Sequence, residues 1–178
     1  MGGGLVARGG SAEPSLCASA GCRRARWGKT LSYALVLLRP DDAARIAEIQ
    51  TPARPTPLAS AESLAATSKL ALGLETDDGA LVAFVIASMT PDFADIEYVF
   101  VSPDHRRSGL GARLIRAIAL QAGIRGVARL VLEVSEANIA ARKLYASLGF
   151  ETERIRANYY RDGSNALAMS RPVAGLGH

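Results

Sequence analysis

The segment SGLGA, at residues 108–112, lies between an apolar strand-like run and an amphipathic helix. The preceding run, DIEYVFV at residues 95–101, has the β-branched and aromatic content of a strand. The residues that follow repeat apolar side chains at helical spacing, namely Leu110, Leu114, Ile115 and Ile118. RLVLEV, at residues 129–134, predicts the next strand, which must be parallel to the first and joined to it by a right-handed crossover. This unit requires a mixed α/β fold with one helix N-terminus beside a parallel strand pair.

The chain before this unit predicts a strand, two helices and a hairpin. YALVLLR, at residues 33–39, predicts a strand, and residues 40–50 predict a helix. The predicted buried side of that helix consists of Ala44, Ile46, Ala47 and Ile49. Three prolines in TPARPTPL, at residues 51–58, predict a stiff loop before a short helix at residues 60–68. Residues 69–89 hold two apolar runs around DDGA, which predicts a β-hairpin.

The chain after this unit predicts a helix and two strands. The helix covers NIAARKLYASLGF, at residues 138–150, and ends at Gly149, a residue suited to the left-handed C′ position. Residues 151–173 predict two strands around a loop at Arg161-Asp162-Gly163. The whole order is β-α-α-β-β-β-α-β-α-β-β. We therefore expect a mostly antiparallel sheet with one parallel pair and helices on both faces.

Charge and composition divide the chain into a predicted disordered leader (residues 1–30), a domain (residues 31–173) and a short tail (residues 174–178). The net charge of +4 comes from the first 40 residues, which hold six basic residues and one acidic residue. Because the domain itself is nearly neutral, a nucleic-acid partner is not predicted.

The two cysteines and the apolar runs bear on the compartment. Cys17 and Cys22 both lie in the leader, with no second pair or nearby histidine, so neither a metal site nor a disulfide framework is predicted. Basic residues before the apolar residues 31–38 resemble a signal peptide, but Arg39 interrupts that run. No run approaches the roughly 18 apolar residues of a membrane span. We expect a cytoplasmic protein without a membrane partner.

Three interpretations of RRSGLGA, at residues 106–112, compete. The glycines could merely relieve a tight turn. A dinucleotide site would need a third glycine where Leu114 stands. In the third interpretation, the first amides of the helix hold a diphosphate, because they lack partners within the helix and lie at its positive end. The cradle would consist of Ser108, Gly109, Leu110, Gly111 and Ala112, with Arg106 and Arg107 at its rim.

Three segments, VSPDHRRSGLGARL, LEVSEANIAARKLYASLGF and RIRANYY, together resemble the GNAT superfamily of N-acetyltransferases, and more narrowly its RimI-type N-terminal acetyltransferases. The resemblance covers about residues 33–172 and implies the GNAT fold, whose sheet is splayed at the parallel pair. It also implies acetyl-CoA as cosubstrate, with the diphosphate in the cradle. No set of metal ligands stands out in the sequence, so a metal is not predicted. The pantetheine arm would pair with the backbone of Val99, Phe100 and Val101, and Asn138 would contact the cofactor as well as cap its helix.

Two side chains are candidates for acid–base chemistry. Glu133 interrupts an apolar strand near its C-terminal end, and from the pattern alone it is as well explained by a solvated carboxylate as by a partly buried site residue. Tyr145 lies on a helical stripe with Ala141, Leu144 and Leu148, a pattern that favours a core aromatic. The resemblance implies that Glu133 is the general base and Tyr145 the general acid.

The acceptor is the least constrained part of the prediction. The resemblance implies that Tyr159 and Tyr160 border a channel for a protein or peptide N-terminus, such as that of a ribosomal protein. If they lay on a strand, they would point to opposite faces. The sequence departs from the RimI-type pattern in three places: RPTPLAS lacks the usual aromatic residues, Asn165 replaces an acid, and Phe100 replaces a small residue. His105 is interpreted as a solvated loop residue.

Two other functions therefore stay open. The same fold could acetylate a small amine or a lysine side chain. The chain could also be a non-catalytic acyl-CoA-binding module, although the presence of both Glu133 and Tyr145 speaks against this.

Overall fold

The computed structural model describes residues 32–50 and 60–173; the predicted leader, the proline-rich segment and the tail lie outside the described residues. The elements are β1 (Tyr33–Leu37), α1 (Ala43–Gln50), α2 (Ala61–Ala65), β2 (Lys69–Thr76), β3 (Leu81–Met89), β4 (Phe93–Val101), α3 (Leu110–Ile124), β5 (Arg129–Ser135), α4 (Ile139–Ser147), β6 (Glu151–Arg156) and β7 (Ala166–Pro172). Short 3₁₀ turns at Pro40–Asp42 and Pro103–His105 precede α1 and α3. The predicted order of helices and strands is confirmed.

Within the described residues, seven strands form one sheet in the order β1-β2-β3-β4-β5-β7-β6. β4 and β5 are parallel, and the other neighbouring pairs are antiparallel. The mixed sheet with its parallel pair is therefore as predicted. β6, at one edge, is exposed along its length and carries two acidic and two basic side chains, which discourages pairing with the strand of another molecule.

The core lies on both faces of the sheet. Apolar side chains of α3 and α4 pack on one face, and those of α1 and α2 pack on the other. β3 contributes to both layers: Val85 points into the first and Phe84 into the second. Burial on both sides explains why residues 81–87 are continuously apolar rather than alternating.

The predicted buried side of α1 is partly wrong. Ile46 is buried, but Ala44 is exposed, and Gln50 occupies a buried position instead. The 3₁₀ turn at Pro40–Asp42 sets where α1 begins, so the side facing the sheet follows residues 43, 46 and 50.

Candidate active site

The candidate site begins where β4 leaves β5. Their parallel pairing runs from Phe93 opposite Arg129 to Ile96 opposite Leu132. Farther along, β4 continues to pair with β3, and no strand of the described residues pairs with its other edge at residues 98–101. Backbone groups along that edge are thus open to an extended ligand that adds to the sheet. The splay confirms that part of the predicted fold.

The loop between β4 and α3 is held by its own contacts. The Arg106 side chain donates from Nε to the Val101 carbonyl oxygen at 3.1 Å. Arg107 and Gly109 both adopt left-handed backbone conformations, with φ of 59° and 77°. Left-handed residues in a short loop turn neighbouring N–H groups toward one concave side. In the described hydrogen bonds of this loop, the amides of Arg106 and Arg113 donate, whereas those of residues 107–112 do not. These amides are free to donate hydrogen bonds to a bound anion.

The two glycines of the loop have different physical roles. Gly109 has a φ of 77°, and a Cβ added to it would meet nothing within 4 Å, so its backbone conformation is what favours glycine. Gly111 lies in α3, and a Cβ there would come within 3.0 Å of Leu144 Cδ2. The sequence predicts both glycines beside the anion, and Gly111 in addition allows close contact between α3 and α4.

A cleft of about 720 Å³ extends from the splayed strands to the N-termini of α3 and α4. It is lined by the predicted cofactor residues Val99, Phe100, Val101, Arg106, Arg107, Gly109, Leu110, Gly111, Ala112 and Asn138. Ser108, also predicted, does not line it; its hydroxyl lies 3.4 Å from the Arg106 carbonyl oxygen. Four further residues line the cleft that the sequence does not predict there: Pro103, Ala140, Ala141 and Leu144. Ala141 and Leu144 belong to the apolar stripe of α4, a pattern that predicts core residues and does not distinguish them from the wall of a cleft.

Asn138 caps α4 as predicted. Its Oδ1 accepts a hydrogen bond from the Ala141 amide at 3.1 Å, which fixes the N-terminus of α4 at the wall of the cleft. Gly149, with a φ of 81°, ends the same helix. α4 is therefore defined at both ends, and its residues take fixed positions relative to the cleft.

Tyr145 is both a core residue and a cleft residue. Its relative exposure is 8%, its ring packs against Phe150 at a centroid distance of 5.8 Å, and it lines the cleft. Burial, with a smaller electrostatic contribution from Tyr160, raises the pKa of Tyr145 to about 12. The phenol is therefore protonated at neutral pH and has a proton to donate.

Glu133 lies outside the residues that line the cleft, and it belongs to the face of β5 that points away from α3 and α4. A partly buried carboxylate is one of the two sequence-based expectations for Glu133; the residue is exposed and forms an ion pair with Arg156 of β6, with 3.0 Å between Oε1 and Nη1. Asp95 of β4 lies on the same side: burial first, then the charges of Glu97 and Glu133, raise the pKa of Asp95. Glu97 is paired with Lys69. The carboxylates of β4 and β5 thus form a polar surface beside the splay.

Tyr159 and Tyr160 belong to the turn between β6 and β7, so the comparison with a strand was wrong. Their rings contact each other edge to face at a centroid distance of 5.2 Å, and Arg156 Cζ lies 5.6 Å from the centroid of Tyr159. Tyr159 is 51% exposed. Arg156 therefore lies beside Tyr159. Tyr160 lies close enough to Tyr145 to affect the pKa of Tyr145 electrostatically.

A hydrogen-bond network fixes this turn to the start of α4. Asn165 donates from Nδ2 to Glu136 Oε2 at 3.0 Å and accepts, through Oδ1, from the Asn158 amide at 3.0 Å. From the sequence alone, Asn165 is only a departure from an expected acid. The Asn165 amide can donate to the Glu136 carboxylate, whereas an acidic side chain at position 165 would repel it.

His105 is not the solvated residue that was predicted. Its Nδ1 lies 3.1 Å from the Tyr33 hydroxyl, and the two rings meet edge to face at 5.9 Å. Arg113 donates to the Tyr33 carbonyl oxygen at 2.8 Å. The loop and α3 are therefore anchored to β1, 72 residues earlier in the chain.

Comparisons with known proteins agree with this arrangement. The model of the acetyltransferase (GNAT) family matches residues 40–150. The [ribosomal protein bS18]-alanine N-acetyltransferase of Escherichia coli K12 is 41% identical over 102 residues, which cover 56% of this chain and 69% of that protein. The enzyme of the same name from Haemophilus ducreyi is 37% identical over 99 residues, covering 53% and 68%. The crystal structure of the ribosomal-protein-S18-alanine N-acetyltransferase from Escherichia coli superposes with a TM-score of 0.71 at 34% identity, covering 80% of this chain and 94% of that one.

The fold and the cleft are those of an acyltransferase that draws on a thioester carrier. More narrowly, the chain belongs to the acetyltransferase (GNAT) family. The predicted family resemblance, including its narrower RimI-type form, the fold and the enzyme class are confirmed. GNAT acetyltransferases use acetyl-CoA, and the residues present fit it: free helix-start amides for a diphosphate and an open strand edge for an extended arm.

Two further observations concern other ligands and membranes. Across residues 32–50 and 60–173, no three histidine, cysteine, aspartate or glutamate side chains are grouped as metal ligands. Among the helices in those same ranges, none has the length and apolar character needed to cross a bilayer.

Proposed function

We propose that this protein transfers the acetyl group of acetyl-CoA to the α-amino group of a protein N-terminus, with the N-terminal alanine of a ribosomal protein as the acceptor class. The observation that carries the proposal is the cleft at the splay, where free amides of α3, the open edge of β4 and Tyr145 meet. The acceptor class is supported by relatives that share 37–41% identity and carry the name of an alanine N-acetyltransferase. The predicted cytoplasmic location and the absence of nucleic-acid and membrane partners remain predictions.

In this proposal the cradle of Ser108, Gly109, Leu110, Gly111 and Ala112 holds the diphosphate, with Arg106 and Arg107 adding positive charge. Val99, Phe100 and Val101 receive the pantetheine arm along their open edge, and Asn138 borders it. The bound cosubstrate supplies an acetyl thioester, which is already activated toward amines. The site residues then need only orient the two reactants and handle protons.

Glu133 accepts, directly or through water, the proton that the acceptor ammonium must lose before its nitrogen can attack the acetyl carbon. Its position on the polar surface of β5 suits a group that meets an acceptor arriving from solvent. As the carbon–sulfur bond breaks, Tyr145 donates its phenolic proton to the leaving sulfur. The raised pKa keeps that proton in place at neutral pH. Tyr159 and Tyr160 border the acceptor channel and orient the peptide.

An acceptor panel tests the proposal with the purified full chain. The panel contains an alanine-initiated peptide, its N-acetylated form, a peptide with a blocked N-terminus and a free lysine, and spermidine. We expect CoA release and a one-acetyl mass increase with the first peptide alone. Activity confined to spermidine or lysine would overturn the acceptor class. Binding of acetyl-CoA without any acetylated product would instead favour a non-catalytic binding module.

Variants test the roles of the two catalytic candidates. Glu133→Gln and Tyr145→Phe are each expected to lower kcat by about 100-fold, the usual size of an acid–base contribution, while calorimetry shows unchanged CoA affinity. Glu153→Gln is a matched control, because Glu153 also forms an exposed ion pair on this sheet, with Arg129 at 3.0 Å. An unchanged kcat in either test variant removes that residue from the mechanism.

A further inference from the structure

We propose that Arg156 is a positioning residue of the acetyl transfer, which fixes the Glu133 carboxylate and the Tyr159 ring in one arrangement. The inference rests on the proposed function. Arg156 is a β6 residue that does not line the cleft, and the sequence motifs at the glycine loop and on α4 do not predict a role for it.

The first contact is the ion pair across β7. Glu133 lies opposite Ala168 and Arg156 opposite Ala166, so the pair spans β7 diagonally. Because both intervening side chains are single methyl groups, the guanidinium reaches the carboxylate over them at 3.0 Å. A bulkier residue at either β7 position would stand between the two charges. The strand order β5-β7-β6 therefore brings the proposed base and Arg156 together.

The second contact joins the same guanidinium to the acceptor side. Arg156 Cζ lies 5.6 Å from the centre of the Tyr159 ring, within the range of a cation–π contact. Tyr159 is half exposed and contacts Tyr160, so removing Arg156 would leave the Tyr159 ring held by Tyr160 without its contact to the guanidinium. One cation thus contacts both the proposed base and the proposed peptide-binding pair.

The charges around Glu133 make Arg156 the relevant cation. From β4, Asp95 lies close enough to Glu133 for the Glu133 charge to raise the pKa of Asp95, and the charge of Glu97 acts on Asp95 in the same direction. Lys69 is engaged with Glu97 and reaches Asp95 only electrostatically. Removing the charge at position 156 therefore leaves Glu133 beside other acids and takes away the ion-pair partner that the described residues give it.

Global stability is a poor explanation for the pair. The side chains of Arg156 and Glu133 are 44% and 31% exposed, and ion pairs this accessible contribute little to folding. The Arg129–Glu153 pair, with exposures of 49% and 48%, has the same chemistry on the same sheet but joins none of the proposed site residues. It provides a control for any general effect of removing an arginine.

The experiment compares Arg156→Met, Arg156→Lys and Arg129→Met in the full chain. The measurements are the pH dependence of kcat/KM for the alanine-initiated peptide, the KM for acetyl-CoA and the thermal midpoint. For Arg156→Met we expect a loss of about tenfold in kcat/KM near neutral pH, as for a misplaced reacting group. The acid limb of its profile should move to higher pH, because the carboxylate has lost its cation. The KM for acetyl-CoA and the midpoint should not change.

Arg156→Lys should restore the position of the acid limb, since it keeps the charge, but only part of kcat/KM, since it loses the flat contact with Tyr159. Arg129→Met should match the wild type throughout. An Arg156→Met profile that superimposes on the wild type, or an equal shift in Arg129→Met, overturns the inference while leaving the proposed function intact. A wild-type enzyme that is inactive on every N-terminal peptide overturns both.

Discussion

Gly111 and Leu144 hold α3 and α4 in direct contact: a Cβ added at Gly111 would lie 3.0 Å from Leu144 Cδ2. Both residues also line the cleft. Packing between the two helices and the shape of the cofactor site therefore depend on the same contact. A side chain at position 111 must displace Leu144 toward the cleft or separate the helices.

Gly111→Ala is expected to destabilise the protein by about 1 kcal/mol, because overpacking outweighs the helix propensity that alanine adds. In a Leu144→Ala background the added methyl group has room, so the same substitution should be neutral or stabilising. Urea unfolding of the four proteins of this cycle gives the coupling between the two positions. An identical effect of Gly111→Ala in both backgrounds would show that the contact is not limiting.

Tyr145 gives the protein a distinctive alkaline sensitivity. Its pKa is raised from 10.0 to about 12 in the folded state, mainly by burial. Below pH 10 the phenol is protonated in both states. Between pH 10 and 12 the unfolded chain releases this proton, whereas the folded chain keeps it because burial makes the phenolate unfavourable, so stability falls by about 2–3 kcal/mol over the interval.

Tyr145→Phe lacks this titration and should lose less stability over the same interval. Urea unfolding of both proteins at about pH 8, 10 and 11.5 measures the difference, where the lowest pH corrects for the lost hydroxyl. Parallel loss of stability in the two proteins would contradict the assigned environment of the phenol.

The elements around the site were predictable where their signals are local. The stripe Leu110, Leu114, Ile115 and Ile118 is fully buried on α3, and Gly149 ends α4 in a left-handed conformation. Both follow from spacing or from backbone freedom within one element. The free amides before α3 likewise follow from the start of a helix.

Contacts between distant segments were not predictable in this way. The Glu133–Arg156 pair requires β7 to lie between β5 and β6, an order that differs from the order along the chain. The Tyr33–His105 contact joins residues 72 positions apart. The role of Gly111 depends on a helix that lies 28 residues later in the sequence, at Ile139–Ser147. Local sequence patterns therefore predict the helices and strands, but they do not predict which residues of different elements come into contact.

Asp95 is a destabilising group at neutral pH. Its pKa is raised by burial and by Glu97 and Glu133, so ionising it in the folded state is less favourable than in the unfolded chain. Its cost to stability appears as pH rises above the unfolded pKa. Asp95→Asn should therefore raise the thermal midpoint by a few degrees at neutral pH and by less near pH 4.

Asp92→Asn is the control for that substitution, because Asp92 is an exposed residue in the bend before β4. Thermal unfolding followed by circular dichroism at both pH values provides the comparison. A midpoint for Asp95→Asn that is lowered at neutral pH, or raised equally at both, contradicts the proposed environment of the carboxyl.

The Glu136–Asn165 contact predicts how the tyrosine turn responds to pH. In Asn165→Asp, a carboxylate would replace the amide whose Nδ2 lies 3.0 Å from Glu136 Oε2. Two carboxylates at this distance cannot both ionise without cost, so the turn that carries Tyr159 and Tyr160 should loosen above the pH at which they share a proton. We expect kcat/KM for the peptide to fall several-fold at about pH 8 and to recover toward about pH 6, with the KM for acetyl-CoA unchanged.

The double substitution Asn165→Asp with Glu136→Gln restores one donor and one acceptor to the contact, with their positions exchanged. It should recover most of the wild-type kcat/KM at about pH 8, whereas Glu136→Gln alone should have little effect, because two amides can still form the hydrogen bond. Steady-state kinetics of the four proteins across the pH range measures these effects. If Asn165→Asp kept the wild-type profile, or if the double substitution were as impaired as the single one, the network would not position the turn.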